Sequence, residues 1–396
     1  MLLRSSSYLR TRVIISLVAL FSATTLLNGL TKPGQFARVP ARDSSANLFQ
    51  GFYGVAAISV DDAWAVGYTW DVISGGGYST LAAHWDGTSW TQVSGPVLTQ
   101  TCASTYTVLR DIAAISSTDI WAAGETCAYP NAQTLAEHWD GTSWTQIPTP
   151  NPGGRSGCAA FYGLTAISTD DVWAVGEFGT NCETSAIKAF SEHWDGTTWK
   201  VVPTPNPATA TGSELLGVAG SGPDDVWAVG DYEQKSFPWP SLIEHWNGTK
   251  WSIVRSPSFS STFNNVLWGA AALSSNEAWA VGQALDEWNG SKWTGAPPAS
   301  SNDTLQRARA FSSTDVWAAG ADYLGNGSNT SLIEHYDGTS WSVVQPAQLT
   351  CDNGRDDYLN GVGGSSPDDV WAVGECSNVS LIEHWDGISW SAVPSP

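Results

Sequence analysis

One stretch of sequence is written seven times along the chain: an acidic turn, the core WAVG or WAAG, a loop of variable length, a segment close to LIEHWDGTSW, and an exit ending in proline. The leading tryptophans are Trp64, Trp121, Trp173, Trp227, Trp279, Trp317 and Trp371, separated by 57, 52, 54, 52, 38 and 54 residues. Units of that length lie in or near the range of four-stranded propeller blades and exceed most helical repeats. A unit so small cannot bury its own faces and must stack on its neighbours. The chain is therefore expected to be all-β, a seven-bladed β-propeller with four antiparallel strands per blade over residues 51–396. A segment 1–30 and a linker 31–50 precede it.

The third repeat shows how one blade is built. Residues 162–168 and 172–176 read as the first two strands around a turn at Thr169, Asp170 and Asp171; 191–194 and 199–202 read as the last two. Asp-Gly or Asn-Gly separates the last two strands in every repeat, the dipeptide that a tight hairpin with positive φ demands. Up-and-down order then puts the acidic turns and the Asp-Gly turns at one end of the ring. The long loops and the links between blades share the other end. Variable loops on a rigid frame are where recognition usually sits.

Repeated side chains read as parts of the frame. Of the 23 tryptophans, 20 fall in the repeat columns, and Tyr336 replaces the third-strand one in the sixth unit; they are expected to fill the wedges between blades. All six histidines share one column (His84, His138, His193, His245, His335 and His384), where each should clip to the acidic turn, as His193 to Asp170 or Asp171. The fifth unit has Glu277 and Glu287 at those two places. With no histidine to spare, Ser-His-Asp or Cys-His catalysis has no base, and no catalytic residue is assigned. Glu137, Glu192, Glu244, Glu334 and Glu383 are expected to face solvent on the third strands. The oxygen-rich loop at Asp352, Asn353, Gly354, Asp356 and Asp357 lacks the EF-hand spacing and reads as a solvated turn. No metal or cofactor is expected.

Charge and cysteine bound the partners. Lys plus Arg number 17 against 38 Asp plus Glu, and six of the 17 precede residue 43. An acidic repeat region disfavours nucleic acid and anionic membranes. Arg4, Arg10 and Arg12 followed by the apolar run 13–20 read as an export signal or an N-terminal anchor, which implies an extracellular or cell-surface place. Cys102, Cys127, Cys158, Cys182, Cys351 and Cys376 fall in successive pairs 24 or 25 residues apart, one before a first strand and one after the WAVG or WAAG strand. The repeat thus pairs 102 with 127, 158 with 182 and 351 with 376. CxxC or Cys/His metal spacing is absent.

Departures from the repeat carry the candidate site. First strands usually begin with a residue followed by glycine, as in Tyr53-Gly54, Tyr162-Gly163, Leu216-Gly217, Trp268-Gly269 and Asn360-Gly361. The second unit has Arg110-Asp111 and the sixth Gln306-Arg307, with Arg309 two residues on. First strands line the channel of a propeller. Arg110, Arg307 and Arg309 beside Tyr53 and Trp268 therefore suggest a seat for a small anionic or sugar ligand; the competing and preferred reading is an ion pair across the channel between Asp111 and an arginine. Trp70 and Trp239 lie outside the columns in long loops, together with Tyr68, Tyr78, Tyr232, Phe237 and Tyr323. They suit carbohydrate or protein contacts, or pack the loops down.

The pattern IWAAGE…LAEHWDGTSWTQIPTP resembles the kelch repeat over about residues 52–396, although a single glycine (Gly67, Gly176) stands where kelch repeats have two. The order SWTQI…LTAIS…DDVWAVG is similar to the tectonin repeat, a lectin-type propeller. Comparable Trp-rich repeats occur in exported bacterial proteins. These resemblances imply a propeller and no activity; the copper site of galactose-oxidase-type kelch enzymes needs Tyr and His ligands outside the repeat columns, and WDGTSW is not a sialidase Asp box. The expected function is that of an exported binding module, a monomer, meeting a glycan or protein through its variable loops. A protein-interaction scaffold and a propeller enzyme are the alternatives.

Overall fold

The computed structural model describes residues 48–396 except 72–76, 99–105, 155–156, 183–185, 258–263, 297–298, 300–302, 325–327, 348–356 and 378. The expected export signal, residues 35–40 of the linker, Cys102, Cys351 and most of the oxygen-rich loop at 352–357 lie outside the described residues. Strands form seven four-stranded sheets, each in chain order and antiparallel throughout. The first blade comprises Leu48–Ser59, Asp62–Asp71, Tyr78–Trp85 and Trp90–Val93. In the third, the first strand begins at Cys158 and not at 162, because its ladder with the second strand continues past the WAVG core to Gly179. Each Asp-Gly or Asn-Gly turn places its glycine at φ between +83 and +90°, a region closed to most side chains. No helix among the described residues is long and apolar enough to cross a membrane.

The core lies between blades. Trp64 of the first blade packs 4.8 Å from Trp139 and 5.6 Å from Trp144 of the second. The same triad closes the ring, where Trp371 of the last blade packs 5.1 Å from Trp85 and 5.2 Å from Trp90 of the first. Phe52, Leu81, Val373 and Ile382 complete that seam. Polar bonds lock it: the Tyr68 hydroxyl donates to Glu375 Oε2 at 2.5 Å, and Gln50 Nε2 to Ser380 Oγ at 3.0 Å. Among the described residues closure borrows no strand, since every blade supplies its own four.

All six imidazoles clip to the acidic turn of their own blade, Nε2 donating to aspartate Oδ1 over 2.7 to 3.0 Å; His193 takes Asp171. The fifth blade shows how a lost clip is replaced. Glu287 holds the histidine position and accepts from the Tyr336 hydroxyl of the sixth blade at 3.3 Å. Two departures from the repeat therefore answer each other across one seam.

The glutamate column does not face solvent. Glu137, Glu192, Glu244, Glu334 and Glu383 are all 0% exposed. In-out alternation holds for a sheet wet on one face, whereas a blade is covered on both. Two acids of this column bind the link leaving the preceding blade: Glu383 Oε2 accepts from Ala347 N at 2.8 Å, and Asp286, the counterpart in the fifth blade, from Ser256 Oγ at 2.8 Å. Burial pushes the carboxyls of Glu137, Glu192, Glu244 and Glu383 up to about 8 and that of Asp286 to about 7.

Cys158 and Cys182 are bonded, with Cα atoms 5.9 Å apart and a sequence separation of 24. Cys127 and Cys376 are disulfide-bonded too. Closing a loop of that length stabilises by about 3 kcal/mol in the chain-entropy model. Replacing both Cys158 and Cys182 by alanine is expected to lower unfolding free energy by about that amount in a denaturant titration; no change would mean that the unfolded chain is already constrained there.

Candidate functional site

The glycine of WAVG or WAAG decides how each blade meets the axis. A Cβ added to Gly67 would lie 2.0 Å from the Gly51 carbonyl oxygen, and one on Gly176 1.8 Å from that of Ala160; the same clash recurs in all seven blades. Only glycine lets the first strand press this close to the second. At that contact every first strand bulges, its register skipping Tyr53, Arg110, Tyr162, Leu216, Trp268, Gln306 and Asn360 in turn. A bulge bends its strand and re-aims the extra side chain. Here the seven side chains converge, with Arg307, on one shallow bowl.

Glycine follows the bulge in five blades; Asp111 and Arg307 follow it in the other two. Neighbouring first strands touch at those glycines: a Cβ on Gly217 would lie 2.8 Å from the Gly269 Cα. In that tight ring the two side chains that remain meet, Arg307 Nε 3.6 Å from Asp111 Oδ2. Arg307 also donates to the carbonyls of Trp268 (2.9 Å), Gln306 (3.0 Å) and Tyr162 (2.7 Å). Asp111 accepts from the backbone N–H groups of Ile112 and Leu164, each at 3.0 Å. Burial raises the Asp111 carboxyl, and the Arg307 charge pulls the other way. First strands run from the long-loop end to the turn end, so this pair, one residue beyond the bulges, floors the bowl. The bowl opens toward the long loops.

The walls carry little free charge. Arg110 is buried, donating to Glu125 Oε1 at 2.6 Å and to the Tyr106 hydroxyl at 3.1 Å, with its guanidinium 4.8 Å from the Tyr53 ring centre. The Tyr162 hydroxyl donates to Glu177 Oε1 at 2.9 Å. Glu125 and Glu177 both follow the core glycine of their blades. Burial raises the Glu177 carboxyl well above its ordinary value, and the neighbouring Glu214 adds to the effect. Asn360 Nδ2 donates to the Phe52 carbonyl at 2.9 Å, while the Gln306 carboxamide is bonded to none of the described residues. No group of three or more His, Cys, Asp or Glu among the described residues is placed to hold a metal ion.

Of the residues singled out in the sequence, Tyr53, Arg110, Trp268 and Arg307 meet in the bowl, and Asp111 lies beneath it. The ion pair across the channel is formed. Arg309 is not brought to the bowl: it is exposed farther toward the turn end, 5.2 Å from the Phe311 ring centre. Trp70 stacks on Tyr78 at 5.6 Å and 2° and packs 5.2 Å from Phe49. Trp239 is tied through its backbone to Asn264 and Asn265. Neither residue lines the bowl. Tyr162, Leu216, Gln306 and Asn360 complete the wall without having been singled out, although the column that held Tyr53 and Trp268 contained them.

No protein-family model matches the chain, nor does any curated protein. Solved structures do. YCF48 bound to a D1 peptide is similar at a TM-score of 0.51 and 14% identity, over 88% of this chain and 99% of that one. Streptogramin B lyase is similar at 0.51 and 15%, over 84% and 97%. The GH74 xyloglucanase from Xanthomonas campestris reaches 0.53 at 14%, over 87% of this chain and 54% of that one. These likenesses establish the fold alone. They include binding proteins and enzymes alike, so function has to be argued from the site.

Proposed function

We propose that this protein is an exported, non-catalytic binding module that receives its ligand at the long-loop end, with the axial bowl as the seat and carbohydrate as the ligand class. One observation carries the reading: seven bulges in seven blades aim one side chain each into a single bowl, and none of the residues lining it is His, Cys, Asp or Glu. Aromatic rings and a few polar groups in a concave site suit a small ligand, and of the lining groups that could move a proton the Tyr162 hydroxyl is already engaged by Glu177.

A protein-interaction scaffold is the second reading, favoured by Phe237 (62% exposed), Leu324 (51%) and Tyr323 (46%) in loops of the fourth and sixth blades. A glycan array separates the two. Binding to one glycan class, lost in Trp268→Ala and kept in Phe237→Ala, is the expected result. Silence across the array would remove the carbohydrate reading and leave the scaffold.

A further inference from the structure

Two of the seven hairpin turns between third and fourth strands carry a carboxamide where the other five carry a carboxylate: Asn247-Gly248 and Asn289-Gly290 stand in place of Asp-Gly. We propose that these two turns are self-modification sites, in which the glycine backbone nitrogen attacks the asparagine side chain and converts it to aspartate. The new bond joins the glycine N to Cγ, its proton passes to water, and the carboxamide nitrogen leaves as ammonia. Water then opens the cyclic imide. Breaking the bond at Cγ gives aspartate with the main chain restored, whereas breaking the bond at the backbone carbonyl carbon gives isoaspartate. In sum, one water is consumed and one ammonia released, with no change of oxidation state.

Both turns are exposed, so water reaches the reacting atoms. The glycines, at φ +83 and +84°, put no side chain beside their own nitrogen, and neither N–H is bonded to a described group. Negative charge develops on Oδ1 as that nitrogen adds, and the turn aims donors at this atom. Asn247 Oδ1 accepts from the backbone N of Thr249 at 3.1 Å and of Lys250 at 3.0 Å. Asn289 Oδ1 accepts from the backbone N of Ser291 and of Lys292, each at 3.1 Å, and from the Ser291 hydroxyl at 2.8 Å. Donors preset where an oxyanion forms lower the barrier to forming it. The sibling turns show that this frame favours a negative oxygen. Asp140 Oδ1 accepts from the equivalent N–H groups at 2.8 and 2.9 Å, and these bonds hold its carboxyl below the ordinary value, as they do at Asp337 and Asp386. The aspartate product is thus the residue that five blades already carry. Isoaspartate would lengthen the main chain within a hairpin closed by Asn247 N donating to Lys250 O, so the fold favours aspartate. Asn360-Gly361 differs on each count: Asn360 is buried at a bulge, and its carboxamide donates to the Phe52 carbonyl at 2.9 Å.

The test is site-resolved mass mapping of the full chain held at mildly alkaline pH, once folded and once unfolded in guanidinium. Asn28, Asn326 and Asn353, which glycine also follows, lie outside the described residues, and site resolution keeps their signals apart. The expected result is that Asn247 and Asn289 convert in the folded chain at least as fast as in the unfolded one, while Asn360 converts only when unfolded. Aspartate should exceed isoaspartate at both turns in the folded chain. Ser291→Ala should slow Asn289 by about fivefold, the factor one neutral hydrogen bond is worth, and leave Asn247 unmoved. Asparagine persisting at both turns after the unfolded chain has lost half of its own would overturn the proposal, because the turn would then shield the carboxamide. A rate at Asn289 unchanged in Ser291→Ala would overturn the part given to the donors on Oδ1.

Discussion

Arg307→Ala is expected to cost about 3–5 kcal/mol of folding free energy, the range found when one partner of a buried ion pair is removed. The variant would strip three backbone carbonyls of their donor and leave Asp111, shut between first strands, without its cation. Asp111→Ala should cost a comparable amount, because it also orphans the N–H of Leu164 on the next blade. The informative variant is the double one. Asp111→Gly with Arg307→Gly restores the glycine found at this position in the other five blades, and the ring of first strands already packs around glycine there. The double variant should therefore be less destabilised than the two single glycine variants summed, by a coupling of about 1–3 kcal/mol in guanidinium unfolding. Strict additivity would mean that the two side chains do not hold each other, and the floor of the bowl would have to be explained by packing alone.

Most of the ring was legible because its determinants are local and repeated. Tryptophan columns, the His–Asp clip and the Asp-Gly turn each depend on spacing within one unit, so seven copies make the pattern unmistakable. The Asp111–Arg307 pair could be anticipated for the opposite reason, as two breaks in one glycine column. The bulge could not be read in this way. It arises because the core glycine of the second strand admits the first-strand carbonyl at a distance no Cβ allows, and that is a contact between strands, not a motif. Without it, Tyr162, Leu216, Gln306 and Asn360 look like ordinary strand residues. The burial of the glutamates was hidden for a related reason: a polar residue in every blade looks like a solvated face until the link of the preceding blade is seen to cover it.

Stability is expected to rise as pH falls from about 8 to about 5, and that buried column is the cause. Glu137, Glu192, Glu244 and Glu383 have an ordinary value of 4.5 and are raised by burial to about 8; Asp286 is raised from 3.8 to about 7. Between those limits the folded chain keeps protons that the unfolded chain releases. Their contribution is therefore complete below the ordinary values and lost as pH climbs through the raised ones. At about 1.4 kcal/mol per pH unit for each group, several kcal/mol are at stake across the set. Asp225 and Asp369 act in the other direction. Burial alone would raise them, but the hydrogen bonds from His245 and Ser221, and from His384 and Ser365, outweigh it and hold both carboxyls below 3.8. Their stabilisation is present above that value and lost beneath it, so the acid gain should end near pH 4. Replacing the four glutamates by glutamine keeps the shape and removes the titration. The quadruple variant should melt higher than the parent at pH 8, equal it near pH 5, and show a much flatter profile between. The excess of 38 acidic over 17 basic groups also favours acid through relief of surface repulsion, but salt screens that part and leaves buried groups largely untouched. A slope that vanishes in high salt, or that survives all four substitutions, would show that these glutamates ionise within the fold without cost.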